Sequence, residues 1–363
     1  MEYLTYLLTP VFTEYFLLCV VGVVVVVTLL LFIVLIVHKI HVESQAQTLR
    51  MLKDRYTSSI KKSARINKPA RPIEFVALCE VVIDMMFKVN VTMVEQLRTI
   101  ARGYGIVDYY RKSLGSRSWV KRYRAVEKLG FLKLPECKPF YHSILEREKD
   151  LHVISKTIWA LSLISGEEDL PVINKFMVDP LFASSKYKAY IYTNIISAFR
   201  ERGEEGVFLK FLSGFMEDET LSVLLKKDMI EACGDGGLHS AKETIITCFR
   251  RFHDIPEMRI SCIRALERIC AGDAHSLITE GLGDTDWRVR AVAAKDAYIC
   301  PPDIIEPLEK ALYDQNYHVR INAAQALKQM GEKGRAVLNR NTKSNDRFVR
   351  DVTNYVLAEK NYA

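Results

Sequence analysis

Asp284 to Ala294 reads DTDWRVRAVAA, and Asp314 to Ala324 reads DQNYHVRINAA. Each opens on a turn-forming acid and passes an Asp or Asn able to accept from the free N–H groups of a first helical turn. Each then enters a run whose apolar residues fall three and four apart. In the first copy Val289, Val292, Ala293 and Ala297 form one such face. The period-two alternation of a strand is missing. A helix with one small, apolar stripe cannot bury that stripe alone, so copies recurring at a fixed spacing predict helical pairs stacked side by side.

Working outward, MRISCIRAL begins at Met258, VRAVAAKDA at Val289, VRINAAQAL at Val319 and VRDVTNYVL at Val349. Weaker copies begin at Lys121, Val153, Ile191 and Leu225, which makes eight repeats between residues 118 and 360. Three residues before six of these starts stand Ser118, Asp150, Ser222, Asp286, Asn316 and Asp346, expected as helix N-caps. Lys188 and Ile255 break that pattern. Second helices are expected around Val172–Val178, Val207–Phe215, Ala241–Phe249 and Ala274–Leu282. Another is expected on Ile304, Ile305, Leu308 and Leu312, capped by Asp303. Trp119, Trp287 and Tyr317 recur just after the cap, which predicts core packing between repeats.

These repeats resemble HEAT repeats in their short, bacterial-style form, and the two quoted stretches carry the resemblance. It implies an all-α fold, a right-handed α-solenoid of about eight HEAT-like αα-hairpins. It also implies a polar ladder between neighbouring repeats, built from a turn acid and a first-helix Arg; the matching positions are Asp284 with Arg290, Asp314 with Arg320, and Arg350 beside Ser344, where the acid is missing. The Arg position is held in the other repeats by Arg122, Ile154, Tyr192, Lys226 and Arg259. The likeness is strong over residues 255–357 and looser over 118–254. Residues 73–117 are expected to form an atypical helical cap at the start of the array (118–363). Asp351, Asn354, Glu359 and Lys360 would give the last helix a polar outer face.

Ahead of the array, residues 16–37 read FLLCVVGVVVVVTLLLFIVLIV, with no charge anywhere in the run. As a helix they extend about 33 Å, enough for a hydrocarbon core of about 30 Å, so a transmembrane helix is expected. Tyr3, Tyr6 and Tyr15 precede it as interfacial rings. A cleaved signal peptide fits poorly: Glu2 and Glu14 occur before the run but no Lys or Arg, and HKIHVESQ after it offers no small-x-small site. Residues 1–15 then form a short extracytoplasmic N-terminus and 38–72 a basic juxtamembrane linker. That linker carries Lys39, Arg50, Lys53, Arg55, Lys61, Lys62, Arg65, Lys68 and Arg71. Against these nine stand Glu43, Asp54 and Glu74, a local +6 of the chain's +7. The charge bias predicts a single-pass protein of the cell membrane, N-terminus outside and array cytoplasmic. It also predicts attraction to anionic lipid headgroups. Nucleic acid is not an expected partner, because the basic run lacks interleaved aromatics and the array is nearly neutral. His38 and His41 are read as interfacial residues.

Composition excludes several classes: 49% hydrophobic and 26% charged residues oppose disorder, and 17 Gly, 11 Pro and 8 Cys oppose collagen-like and disulfide-scaffold chains. Cys19, Cys79, Cys137, Cys233, Cys248, Cys262, Cys270 and Cys300 form no C-x-x-C and are read as buried thiols. Phosphate loops, G-x-S-x-G elbows and H-E-x-x-H are missing from the sequence. His142, His152, His239, His253, His275 and His318 are scattered, and the pairs Glu167–Glu168 and Glu204–Glu205 read as solvated turn residues. One branch of HEAT-like proteins is a di-iron hydroxylase with His-Glu ligand pairs; no His precedes a Glu here, so that resemblance extends to the fold alone. No catalytic residue, cofactor, metal or small-molecule substrate is expected. The expected function is a membrane-anchored cytoplasmic scaffold for a membrane-associated protein partner. A resemblance to bacterial single-span HEAT-like proteins implies an accessory subunit of a membrane glycosyltransferase or exopolysaccharide system. The alternative is a HEAT-like enzyme or cofactor carrier, a lyase or metal-dependent hydroxylase.

Overall fold

All regular structure among the described residues is helical. A computed structural model describes residues 2–62, 64–179, 182, 184–269 and 274–359, without the side chains of 2–14 and 185. The rings of Tyr3 and Tyr6, the carboxylates of Glu2 and Glu14, Cys270 and Lys360 therefore lie outside the described residues. The chain forms two compact units, Met1–Ser113 and Leu114–Ala363.

In the first unit α1 runs unbroken over Glu2–Lys61, 60 residues. It is long and apolar enough to cross a membrane, and its side chains from Tyr15 to Val37 are exposed. The helix does not end with the apolar run, so the linker expected over 38–72 is helical as far as Lys61. Residues 38–61 contain no Gly or Pro, and Leu49, Leu52 and Tyr56 lie on one face. Packing against α2 (Pro72–Met86) rewards that face, and Tyr56 is buried. Lys53 Nζ lies 3.3 Å from Glu80 and 3.4 Å from Asp84, while residues 41–49 line a cleft with residues 71–76. The two helices therefore run in the same direction, and the segment between them returns along α1 with Ile66 and Pro69 buried. Next come α3 (Val91–Gly103) and α4 (Ile106–Leu114); α3 packs on α2, and the Tyr109 ring of α4 stacks on Phe75 at 4.8 Å.

The second unit alternates first and second helices. Its first helices are α5 (Trp119–Leu132), α7 (Leu151–Ser162), α9 (Ser185–Glu201), α11 (Val223–Asp235), α13 (Pro256–Ile269), α15 (Trp287–Asp296), α17 (Tyr317–Gln329) and α19 (Arg347–Ala358). Between them lie α6 (Lys138–Arg147), α8 (Leu170–Met177), α10 (Glu205–Glu217), α12 (Lys242–Arg251), α14 (Ala274–Leu282), α16 (Ile305–Ala311) and α18 (Gly331–Asn341). Each first helix packs on the next, from α5 through to α19. The second helices form the other layer, with α14, α16 and α18 in line. This is an α-solenoid of stacked helical pairs, the eighth repeat represented by α19 alone among the described residues.

Close approach between first helices depends on small residues. Gly130 faces Ala160, and Gly234 faces Ala265 so closely that a Cβ on Gly234 would sit 2.7 Å from the Ala265 Cα. Ala160, Ala232, Ala265 and Ala326 occupy one repeated position toward the C-terminal ends of their helices, and all are buried. Asp351 and Asn354 on α19 and Glu359 just past its end are exposed.

Candidate functional site

The first helices open as their chemistry requires. Asp150 accepts from the His152 and Val153 N–H groups, Asp286 from Arg288, Asn316 from His318, and Asp346 from Phe348 and Val349. Ser222 accepts from Leu225 at 3.3 Å. Ser118 has the extended N-cap backbone, but its hydroxyl bonds none of the helix N–H groups; its own carbonyl already takes the Lys121 N–H at 3.1 Å. Ser184 caps α9 instead, accepting from Tyr187 at 3.4 Å. This moves the third repeat one turn toward the N-terminus of the register read from Ile191. The missed signal was the match of Ser184 and Lys188 to Ser222 and Lys226.

In the corrected register a cation stands one turn past the first-helix opening in seven of eight repeats: Arg122, Lys188, Lys226, Arg259, Arg290, Arg320 and Arg350. Ile154 is the exception, and Tyr192 leaves the set. The guanidinium closes its own turn from below: Arg290 Nη1 donates to the Asp284 and Thr285 carbonyls at 2.8 and 3.0 Å. Arg320 does the same to Asp314 and Gln315, and Arg350 to Ser344 and Asn345. The ion pairs, however, run forward to the next repeat. Arg290 grips Asp314 with two bonds of 2.6 and 3.0 Å, and Arg259 Nη1 lies 2.6 Å from Asp284. Arg122 grips Glu148 at 2.6 and 2.8 Å. These ion pairs join neighbouring repeats; Asp284 with Arg290 and Asp314 with Arg320, the residues matched to the ladder in the sequence, share a repeat, so the actual partners are offset from those pairs by one. The acid sits above the turn that the following Arg closes, where the preceding Arg can reach it.

The offset moves the incomplete rung. Ser344 holds the acid position, so Arg320 is the residue with no carboxylate ahead of it; its Nε, like that of Arg259, is buried without a hydrogen-bond partner among the described residues. Its guanidinium rests 5.0 Å from the centre of the Phe348 ring. Hydrogen bonds from Arg122 hold the Glu148 carboxyl below its ordinary range. At Asp314 burial pushes upward, but Arg290 and the Asn316 N–H outweigh it and the net shift is downward. The two lysines work differently. Lys188 Nζ donates to the Met177 and Asp179 carbonyls at 2.6 and 2.7 Å, and Lys226 Nζ to Met216 at 2.9 Å, at the ends of α8 and α10. Burial lowers the pKa of both.

Along the edge formed by the first-helix openings lies a row of large apolar side chains. Trp119, Leu151, Trp287 and Tyr317 follow their caps directly, and Leu224 and Phe348 come one residue later. All six are between 41% and 67% exposed. The core role expected for Trp119, Trp287 and Tyr317 is thus corrected: the rings bridge repeats, but at the rim. Trp119 stacks on His152 at 5.5 Å and Trp287 on His318 at 5.6 Å. Each indole meets an imidazole of the next repeat, so much of each ring remains open to solvent.

The other singled-out residues are dispersed. Asp303 lies inside the short turn Pro302–Ile304 rather than capping α16, with its carboxylate 3.3 Å from His275. His142 bonds Asp169 at 2.6 Å, and His41 bonds Gln45 at 2.8 Å. Glu168, Glu204 and Glu205 pair with Lys138, Arg202 and Arg200. Cys79, Cys137, Cys233, Cys248, Cys262 and Cys300 are buried, and Cys19 is exposed on the apolar run. Among the described residues no three His, Cys, Asp or Glu side chains are grouped to hold a metal. Asp296 stands at the position that α7, α11, α13 and α17 fill with Ala; burial, then the nearby Glu267, raises its pKa to about 6. Of the nine basic residues before the array, Lys39 lies 3.9 Å from Glu43, Lys53 meets α2, and Arg71 pairs with Glu74 at 2.8 Å. Arg50, Arg55, Lys61, Lys62, Arg65 and Lys68 are exposed.

Among solved structures, the chain is similar to the Escherichia coli protein YibA at 13% identity, covering 81% of this chain and 100% of that one, with a TM-score of 0.39. It is similar to the karyopherin Kap121p bound to the extreme C-terminus of the phosphatase Cdc14p at 10% identity, covering 84% and 45%, TM-score 0.36. It is similar to human deoxyhypusine hydroxylase at 15% identity, covering 78% and 94%, TM-score 0.25. At these values the likenesses carry no argument about activity or partner. No curated protein matches the chain. Residues 276–358, from α14 to α19, match the family model for HEAT repeats.

Proposed function

We propose that this protein is a membrane-anchored adaptor that binds a protein partner through its repeat array and carries out no reaction itself. A HEAT-repeat stack is suited to protein binding, since repeats present the same surface again and again at fixed spacing. The observation that carries the reading is the rim row Trp119, Leu151, Leu224, Trp287, Tyr317 and Phe348, exposed along one edge of the array. Large apolar and aromatic groups in register along one edge mark interaction surfaces, and aromatics dominate binding energy where they become buried. The apolar part of α1 would tether the array to the bilayer, on the cytoplasmic side. Confinement to a membrane raises the effective concentration toward a partner in the same membrane. A membrane glycosyltransferase, implied by the resemblance of the sequence, is the partner class to examine first.

The length of α1 refines the lipid contact. From Val37 to Lys61 and Lys62 the chain climbs about 36 Å along a helix axis. Screening at physiological salt acts over about 8 Å, so these charges stand clear of the headgroups, whereas Lys39 lies among them.

The test is copurification of the full-length chain in mild detergent beside the double variant Trp287→Ala, Phe348→Ala. The expected result is one protein recovered in stoichiometric amount with the natural chain and lost with the variant, while helicity and Tm stay within a few degrees. Recovery of the lone chain in both cases, or metal or chromophore bound in stoichiometric amount, overturns the reading.

A further inference from the structure

The sign of the charge changes along the array. Residues 116–201, the first three repeats, hold fourteen Lys or Arg against ten Asp or Glu, and residues 202–284 hold ten against fifteen. Part of the positive excess stands at the edge where the first helices open. Arg117 and Lys149 come just before the caps Ser118 and Asp150, and Lys121 and Lys186 lie in the first turns of α5 and α9. All four are exposed and meet no carboxylate among the described residues. The carboxylates beside Lys149 are committed, Glu148 to Arg122 and Asp150 to the N–H groups that open α7. Among these cations stand Trp119 and Leu151, each directly after its cap in neighbouring repeats, 44% and 67% exposed. Packed helices lie about 8–10 Å apart. A polyproline II chain rises about 3.1 Å per residue and returns every third side chain to the same side, a step of about 9 Å.

We propose that this end of the rim seats an acidic, unfolded segment of the protein partner, with carboxylates on Arg117, Lys121, Lys149 and Lys186 and large apolar side chains three residues apart against Trp119 and Leu151. The proposal rests on the array being a protein-binding adaptor and names the chemistry of what it binds. Opposite charge draws such a segment to this part of the edge and away from the turns that lead into α11 and α13, where Asp218, Glu219 and Asp254 are exposed. An anionic bilayer is a broad plane and would press on those acids as well as on the cations. A single unfolded strand follows the cations alone, and its step of three residues matches the step of the repeats.

Full-length protein in phosphatidylcholine nanodiscs, which bring no net charge, is titrated against a fluorescein-labelled peptide of Glu residues carrying two Leu three positions apart. Binding is read by anisotropy. The peptide is expected to bind, and to bind more weakly when both Leu are replaced by Ser. Lys121→Glu with Lys186→Glu should weaken it about tenfold. Both changes fall in first helical turns, where an acid is well tolerated. Lys175→Glu with Lys210→Glu, an equal change of charge at exposed positions on α8 and α10, should leave binding within about twofold. No binding, or equal loss with both pairs of substitutions, overturns the proposal. So does displacement of the peptide by a single-stranded oligonucleotide at equal concentration, or its loss in nanodiscs containing phosphatidylglycerol, since the edge would then be a general polyanion or headgroup contact. Copurification separates this proposal from the adaptor reading. A partner kept by Lys121→Glu, Lys186→Glu and lost with Trp287→Ala, Phe348→Ala sinks the acidic segment and leaves the adaptor standing, whereas a lone chain in every case sinks both.

Discussion

Arg320 shows how much a single residue depends on its neighbour one repeat away. Its guanidinium closes its own turn through two carbonyls, yet where Arg290 grips Asp314 and Arg259 reaches Asp284, Arg320 faces Ser344, and its buried Nε has no hydrogen-bond partner among the described residues. A buried donor without a partner costs stability, and a charge-assisted bond recovers it. Ser344→Asp should therefore stabilise the protein by about 1 kcal/mol, read as a higher urea midpoint at unchanged m-value. Equal or lower stability would show that the rungs do not run forward. The residues of this ladder were legible in the sequence, because an acid and an Arg at fixed offsets recur. Their direction was not, because Asp284 is near Arg290 along the chain and near Arg259 only across the interface. Glu148 escaped notice because it stands in a repeat whose own cation position holds Ile154, although its spacing to Asp150 repeats that of Asp284 to Asp286.

At the scale of helices, the packing of first helix on first helix decides what the sequence pattern leaves open. In water an exposed helical Gly is a weakness: Gly214 of α10 has nothing within 4 Å of a built Cβ, so Gly214→Ala should stabilise by about 0.5–1 kcal/mol. Gly234 of α11 has the same intrinsic preference and the opposite surroundings. A Cβ there meets backbone of α13 at 2.7 Å, and backbone cannot swing aside as a side chain can. The strain of separating two packed helices, about 1–3 kcal/mol, exceeds the gain in propensity. Gly234→Ala is expected to destabilise by about 1–2 kcal/mol in chemical denaturation, opposite in sign to Gly214→Ala; a shared sign would mean that the helices are not held this closely. The same reasoning explains two features that local sequence did not disclose. The start of α9 was displaced by one turn because the clearest apolar stripe, from Ile191, lies inside the helix and not at its opening. The continuation of α1 to Lys61 depends on Leu49, Leu52 and Tyr56 finding α2, a contact that a polar, basic composition conceals.

For the whole molecule the decisive quantity is charge on either side of one apolar run. Soon after Val37 stand Lys39, Arg50, Lys53 and Arg55, and between Met1 and Tyr15 there is no Lys or Arg. Lys and Arg resist transfer across an energised membrane and carry the topological signal, while Glu2 and Glu14 count for little. The expected product is an N-terminus outside with the chain past the apolar run in the cytoplasm, where the buried thiols would stay reduced. Trypsin added to sealed right-side-out vesicles should leave the chain past Val37 intact, and trypsin added to inverted vesicles should cut it at the exposed Lys61 and Lys62. The same two digestions on a variant with Lys39, Arg50, Lys53 and Arg55 each changed to Gln should show part of the population cut from the outside, because the charge bias near the span is then gone. If the natural chain is cut in right-side-out vesicles, the array faces away from the cytoplasm, and the partner must be sought on the other side of the membrane.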